Sequence, residues 1–134
     1  MQQVMATIFT KIIEGEIPCY KIAEDERFFA FLDINPMSKG HTLVVPKQET
    51  DYIFDLDDTT LSEMIIFAKK IAKAVENAVP CNRVGLMVIG LEVPHAHIHL
   101  IPIEKEGDMN LANPRVKLTS QEFEEIAMNI RNKL

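Results

Sequence analysis

The sequence predicts an α+β fold: a five-stranded antiparallel sheet with one long central helix, a short N-terminal helix and a C-terminal helix. Three observations predict it. Short apolar runs follow one another across hairpin-length turns, which suits antiparallel pairing. Only one long helical stripe interrupts them, whereas a doubly wound sheet needs a helix between successive strands. A second amphipathic segment closes the chain after the last strand.

Taken in order, Thr7–Glu14 carries Ile8, Phe9, Ile12 and Ile13 at helical spacing, and Gly15 and Pro18 stop it after about two turns. Cys19–Ile22 reads as a first strand, Glu24-Asp25-Glu26 as a hairpin turn, and Phe28–Leu32 as a second strand. The loop Asp33–Gly40 is marked by Asn35-Pro36 and by Gly40. His41 then opens a third strand, Thr42–Val45, closed by Pro46. In the loop Asp51–Asp58, Tyr52, Ile53, Phe54 and Leu56 are expected to hold to the core. Thr60-Leu61-Ser62-Glu63 has the form of a capping box, and the helix it opens runs to about Val79, where Pro80 ends it. Its stripe of Leu61, Met64, Ile65, Ala68, Ile71, Ala72, Val75 and Ala78 is broad enough for core plus a subunit contact. Arg83–Ile89 reads as the fourth strand, Gly90-Leu91-Glu92 as a tight connection, and the fifth strand ends near Ile103. Glu104–Arg115 is polar and reads as an exposed loop. Thr119-Ser120-Gln121-Glu122 caps a last helix whose Phe123, Ile126, Ala127, Ile130 and Leu134 form a docking stripe.

At 134 residues the chain is expected to be one domain, residues 1–134, with ordinary globular composition: 47% hydrophobic and 25% charged. The formal net charge of −6 argues against a general nucleic-acid binder, though one bound phosphate needs only a local cluster of donors. Cys19 and Cys81 have no metal-site or redox spacing, so a reducing compartment is the default. The start lacks a basic region followed by an apolar one, and the run Leu86–Val93 is too short and too broken to cross a bilayer. A cytoplasmic protein without membrane contact is expected.

The chemistry concentrates in Val93-Pro94-His95-Ala96-His97-Ile98-His99-Leu100-Ile101-Pro102. Histidine recurs at every second position, the period of a strand, so on a straight strand the three rings share one face at spacings of roughly 7 Å. No folding requirement stacks three imidazoles. Metal binding is the main rival reading, since imidazole is a common zinc ligand. The outer two positions of such a row lie about 13 Å apart, so at most two of the three could hold one ion.

With that stretch go Ile8-Phe9-x-x-Ile12-Ile13-x-Gly15-x-Ile17-Pro18, Phe31-Leu32-Asp33-Ile34-Asn35-Pro36 and Gly40-His41-Thr42-Leu43-Val44-Val45-Pro46-Lys47. In these motifs, their order and their spacing, the chain resembles the histidine triad nucleotide-binding proteins over almost its entire length. The resemblance implies attack on the α-phosphate of nucleoside phosphoramidates, adenylated compounds or dinucleoside polyphosphates, with a purine nucleotide as substrate and a homodimer joined through the long helix and fourth strand. It implies that His97 becomes nucleotidylated before water releases the nucleoside monophosphate. A neutral imidazole is a nucleophile near pH 7, which suits that role. His99 and His41 are expected to donate to phosphoryl oxygens, and His95 to orient the other rings. Asp33 corresponds to the acceptor of both ribose hydroxyls, and Ile34, Phe31, Phe9, Ile8 and Ile12 to the apolar slot for the base.

Three places depart from the family pattern. Gly90-Leu91-Glu92 stands where the family has glycine, glutamine and a hydroxyl residue, which puts Glu92 on the leaving-group side. An asparagine expected in the same loop is missing. These changes leave open a nucleotide-binding regulatory protein with little turnover. The third is at the structural zinc of some bacterial members, whose ligands correspond here to Thr7, Thr10, Gln48 and His95. That is a poor zinc set, so neither metal nor cofactor is expected.

Overall fold

The run Phe28-Phe29-Ala30-Phe31-Leu32 is apolar at every position because it is covered on both faces. A computed structural model describes residues 6–134 of the chain. In it β1 (Lys21–Glu24), β2 (Phe28–Leu32), β3 (Thr42–Pro46), β4 (Arg83–Met87) and β5 (Ile98–Ile103) form one sheet in the order β1-β2-β3-β5-β4, with every pair antiparallel. Helix α1 spans Ile8–Ile13, α2 Asp58–Ala78 and α3 Ser120–Arg131. The α+β class, the five strands and all three helices are as the sequence predicts.

Alternation sorts the two faces. Phe28, Ala30, Leu32, Val44, Ala96, Ile98 and Leu100 meet α2 and α3 in the main core, along with Met64, Ile71, Val75 and Ile130. Phe29, Phe31, Leu43 and Val45 point to the opposite face, where Phe9 of α1 covers them. His99 is paired with Leu43 of β3, so the histidines lie on this second, thinner side.

Several local readings shift, each for a visible reason. The first strand runs from Lys21 to Glu24 rather than from Cys19 to Ile22, and it extends to Glu24 because Asp25 Oδ1 accepts from the N–H groups of Arg27 and Phe28 and sets the hairpin turn one step later. Helix α2 is capped by Asp57, whose carboxylate accepts from Thr60 N–H at 2.7 Å. Thr60 and Glu63, expected to form the capping box, instead both receive the Arg27 guanidinium. β4 ends at Met87, leaving Val88 and Ile89 half exposed ahead of Gly90, whose φ is +75°. Of the four apolar residues between Asp51 and Asp58, Ile53 and Leu56 are buried while Tyr52 and Phe54 face out. The polar stretch after β5 holds a short 3-10 turn, Glu106–Met109. The last helix is capped as expected, Thr119 and Glu122 reciprocally, and Phe123 stacks on Tyr20 at 4.8 Å, but Leu134, read as part of its docking stripe, lies beyond the helix end at Arg131 and is exposed. Among the described residues, no helix is long and apolar enough to cross a membrane.

Candidate active site

The triad segment enters β5 later than strict alternation predicts. His95 N–H donates to Val93 O at 2.8 Å, a tight turn about Pro94, and Ala96 N–H reaches Thr50 O at 2.6 Å. The strand begins only at Ile98. The three rings are therefore not an even row. His97 and His99 lie edge to face with centroids 4.8 Å apart, while His95 is turned inward and fully buried.

Hydrogen-bond partners assign the ring protons. His97 Nδ1 lies 2.8 Å from His95 O. A carbonyl only accepts, so Nδ1 holds the proton and Nε2 keeps its lone pair. His41 Nδ1 accepts from Met37 N–H at 3.0 Å, so the His41 proton sits on Nε2, 3.0 Å from His99 Nδ1. His99 Nδ1 then accepts, and His99 carries its own proton on Nε2. His95 donates from Nε2 to Pro46 O at 2.7 Å and accepts at Nδ1 from the Thr7 hydroxyl at 2.7 Å.

Burial keeps the His41, His95 and His99 rings neutral. It holds His41 down at about 3 and His99 at about 4, with the neighbouring histidines and Arg115 adding to the effect. His95 is also lowered, chiefly by burial, against the pull of Pro46 O and Glu49. The relay Met37 N–H to His41 to His99 is thus intact at neutral pH, and it sets an N–H donor beside a bare imidazole lone pair.

His41 is positioned by Gly40, whose φ is +92° and whose added Cβ would come 2.8 Å from Val79 Cγ2. The expectation that His41 donates directly to a phosphate meets a ring only 2% exposed with both nitrogens engaged. Its influence passes through His99.

Asp33 follows β2 directly. Its Oδ1 accepts from Asn35 N–H at 2.8 Å and its Oδ2 lies 3.5 Å from His41 Nε2. Burial raises its carboxyl above the usual range despite the Asn35 N–H and Arg115. Phe9 packs on His97 at 5.0 Å and on Phe31 at 5.6 Å, so both rings line the histidine side of the sheet. Ile8 and Ile34 are 47% and 73% exposed, and Ile12 is half-buried against the cluster of Phe9, Phe29, Phe31, Leu43 and Val45. Glu92 is exposed, and its charge reaches Asp33.

The HIT-domain family profile matches residues 14–106. The chain belongs to the HIT, or histidine triad, family. The adenosine 5′-monophosphoramidase hnt1 of Schizosaccharomyces pombe is 35% identical over 133 residues, covering 97% of this chain and 99% of that one. The HIT-like protein involved in cell-cycle regulation from Bartonella henselae superposes with a TM-score of 0.82 at 34% identity, covering 96% of each chain. A zinc-bound histidine triad family protein from Mycobacterium smegmatis has a TM-score of 0.79 at 30% identity, covering 94% of this chain and 91% of that one.

This HIT protein has its own chemistry where the resemblance places a zinc. The Thr7 hydroxyl is on His95, while the Thr10 hydroxyl and the Thr7 N–H are both on Glu49 Oε1, at 2.6 and 2.7 Å. Two hydroxyls already committed to hydrogen bonds are not a zinc ligand set. They tie α1 to the end of β3 instead. A second cluster, Asp33, His41 and His99, brings its ligand atoms within 4.8 Å of one another. It is built as a hydrogen-bond relay: a metal on His41 Nε2 would put the ring proton on Nδ1, against the Met37 N–H donor.

Glu49 and Arg115 are the two groups at this site that the sequence reading passes over. Glu49 looks like one more loop acid after Pro46-Lys47, and only the fold brings it to Thr7 and Thr10. Arg115 lies in a stretch read as exposed loop, yet its guanidinium is felt at Asp33, His41 and His99.

Proposed function

We propose that this HIT protein cleaves nucleoside 5′-phosphoramidates, or chemically similar adenylates and dinucleoside polyphosphates, through a covalent nucleotidyl-His97 intermediate. One observation carries the reading: the anchoring of His97 Nδ1 on His95 O, which leaves Nε2 as the lone-pair nitrogen of the neutral ring, beside a His99 whose Nδ1 is engaged by His41. The lone pair attacks the α-phosphorus, and the bond to the leaving group breaks. The leaving group departs with the electron pair of that bond and takes up a proton from solvent, which the hydrolytic water returns in the second step. The His99 N–H donates to a non-bridging oxygen where charge gathers, and His41 holds His99 in that tautomer. Water then attacks the phosphorus, breaks the P–N bond and releases the nucleoside monophosphate and free His97.

Asp33 accepts the ribose hydroxyls, and Phe9, Phe31, Ile8, Ile12 and Ile34 hold a purine with little hydrogen-bond selection. The phosphoramidase from Schizosaccharomyces pombe supports the substrate class. Glu92 and the 89% exposed Leu91 stand on the leaving-group side, so preference among leaving groups is expected to differ from that of members with an amide and a hydroxyl there. The same two residues favour the second reading, a nucleotide-binding regulator with little turnover.

The working unit we propose is a homodimer. β4 is an edge strand, and beside it Leu86, Val88, Ile89, Ile65 and Ile66 are apolar and exposed.

Intact mass after a quench without acid tests the mechanism, because a phosphorus–nitrogen bond at imidazole hydrolyses once protonated. A nucleotidyl adduct mapped to His97, lost with turnover in His97→Ala while nucleotide binding stays within a few-fold, is the expected result. Wild-type turnover in His97→Ala would end the proposal. Tight nucleotide binding with no adduct and no turnover across the three substrate classes would favour the regulator.

A further inference from the structure

Arg115 lies beyond the segment matched to the family, in the connection between β5 and α3. That connection is fastened to the site: Val116 N–H donates to Pro36 O at 2.9 Å, which seats Arg115 against the loop that begins at Asp33. Arg115 Nη1 is buried and has no hydrogen-bond partner among the described residues, the one side-chain atom there of which this is true. Leaving a charged donor out of water without an acceptor is costly, and packing alone gives no reason for it. Asp33, which opens that loop, is half-buried, with one contact on each carboxylate oxygen, to Asn35 N–H at 2.8 Å and to His41 Nε2 at 3.5 Å. Each oxygen has accepting capacity left. The guanidinium charge acts on the Asp33 carboxyl, and the Val116–Pro36 bond holds Arg115 beside the same loop, yet the two side chains form no ion pair with each other among the described residues.

A guanidinium only donates and a carboxylate only accepts. A group placed between them is fully satisfied if it accepts from one and donates to the other, which is what a hydroxyl does. A vicinal diol offers two such groups.

We propose that Arg115 is a substrate-specificity residue that, together with Asp33, grips the ribose diol of the nucleotide and discriminates ribo- from 2′-deoxyribonucleotides. Asp33 accepts from the hydroxyl hydrogens while Arg115 Nη1 donates to the 2′-hydroxyl oxygen. The inference rests on the nucleotide reading given above.

Calorimetric binding of AMP and 2′-deoxy-AMP tests it without requiring turnover. The wild type is expected to bind AMP at least tenfold more tightly than the deoxy form. Arg115→Ala should weaken AMP roughly tenfold, the loss of one hydrogen bond to a charged group, and 2′-deoxy-AMP much less, so that the preference collapses. Arg115→Lys keeps the charge but not the planar fork; it too should lower the preference, and it stands in should the alanine variant fail to fold. With phosphoramidate substrates the change should appear in KM, with kcat within about twofold of wild type. Equal weakening of both nucleotides in both variants would assign Arg115 a general electrostatic or structural role and overturn the inference while leaving the nucleotide reading intact. A wild type that binds neither nucleotide would overturn both.

Discussion

His41 Nε2 lies 3.0 Å from His99 Nδ1, and the direction of that bond decides what His99 presents to substrate. Because Met37 N–H occupies the other His41 nitrogen, the proton between the two rings belongs to His41. Replacing His41 by alanine removes it. His99 is then free to hold its proton on Nδ1 and to turn a lone pair toward the phosphate. We expect kcat to fall about 10²-fold, the cost of losing one donor to developing charge, with KM changed little. Nitrogen-15 chemical shifts of His99 report the tautomer directly. An unchanged His99 spectrum together with an unchanged kcat would refute the relay.

The same burial makes acid stability predictable. The histidines at positions 41, 95 and 99 have pKa values held below the ordinary 6.5, to about 3 for His41 and about 4 for His99. In the unfolded chain they take up protons near pH 6.5, and in the fold only at lower pH. Their contribution is therefore fully present above pH 6.5 and is lost as pH falls from there through about 4 and then 3. Each contributes a slope of up to about 1.4 kcal/mol per pH unit within its window. Asp33, raised by burial, acts in the opposite sense and only near the carboxylate range. Urea unfolding at a series of pH values should show stability dropping steeply below pH 6. A flat profile between pH 7 and 5 would contradict it.

At the other end of the site, Thr7 both caps α1, accepting from Thr10 N–H at 3.1 Å, and donates to His95 Nδ1. Thr7→Val removes the cap and leaves a buried acceptor unpaired, a loss of about 2–3 kcal/mol from the two effects together. Because the hydroxyls and Glu49 do the fastening here, chelator should leave the melting temperature of the wild type unchanged. A drop on adding EDTA would return zinc to consideration.

Much of this was legible because it is periodic or capped. The short apolar runs between turns, the three helices and the Thr119–Glu122 box depend on neighbours in sequence, and they fall at or near the positions read. The histidine face was legible in the same way, since Ala96, Ile98 and Leu100 enter the main core. What failed to show is what depends on distant partners. Thr60 and Glu63 spell a capping box, but Arg27, across a gap of more than thirty positions, takes both side chains and leaves the cap to Asp57. Pro94 was visible, yet alternation alone gave no sign that it would turn His95 inward toward Pro46 and Thr7. Phe67 falls outside the stripe read for α2 and is buried against Phe28. Glu49 and Arg115 carry no local pattern; they matter only through contacts that the tertiary fold creates.

β4 lies at an edge of the sheet. Ile66 is 67% exposed on α2 and Leu86 is 52% exposed on β4, an edge strand with free backbone groups. Exposed apolar side chains on a helix and on a sheet edge are what a twofold contact would cover, with β4 pairing to β4 and the sheets joining. One chain weighs 15.2 kDa, so light scattering at micromolar concentration should report about 30 kDa, twice that figure. Ile66→Glu puts a charge into the covered face and should shift the particle toward a single chain. Because a dimer is stabilised by mass action, the wild-type melting temperature should rise with protein concentration, while that of Ile66→Glu should not. A wild type that scatters as 15.2 kDa and melts at the same temperature at every concentration would show that this apolar face is left open in solution.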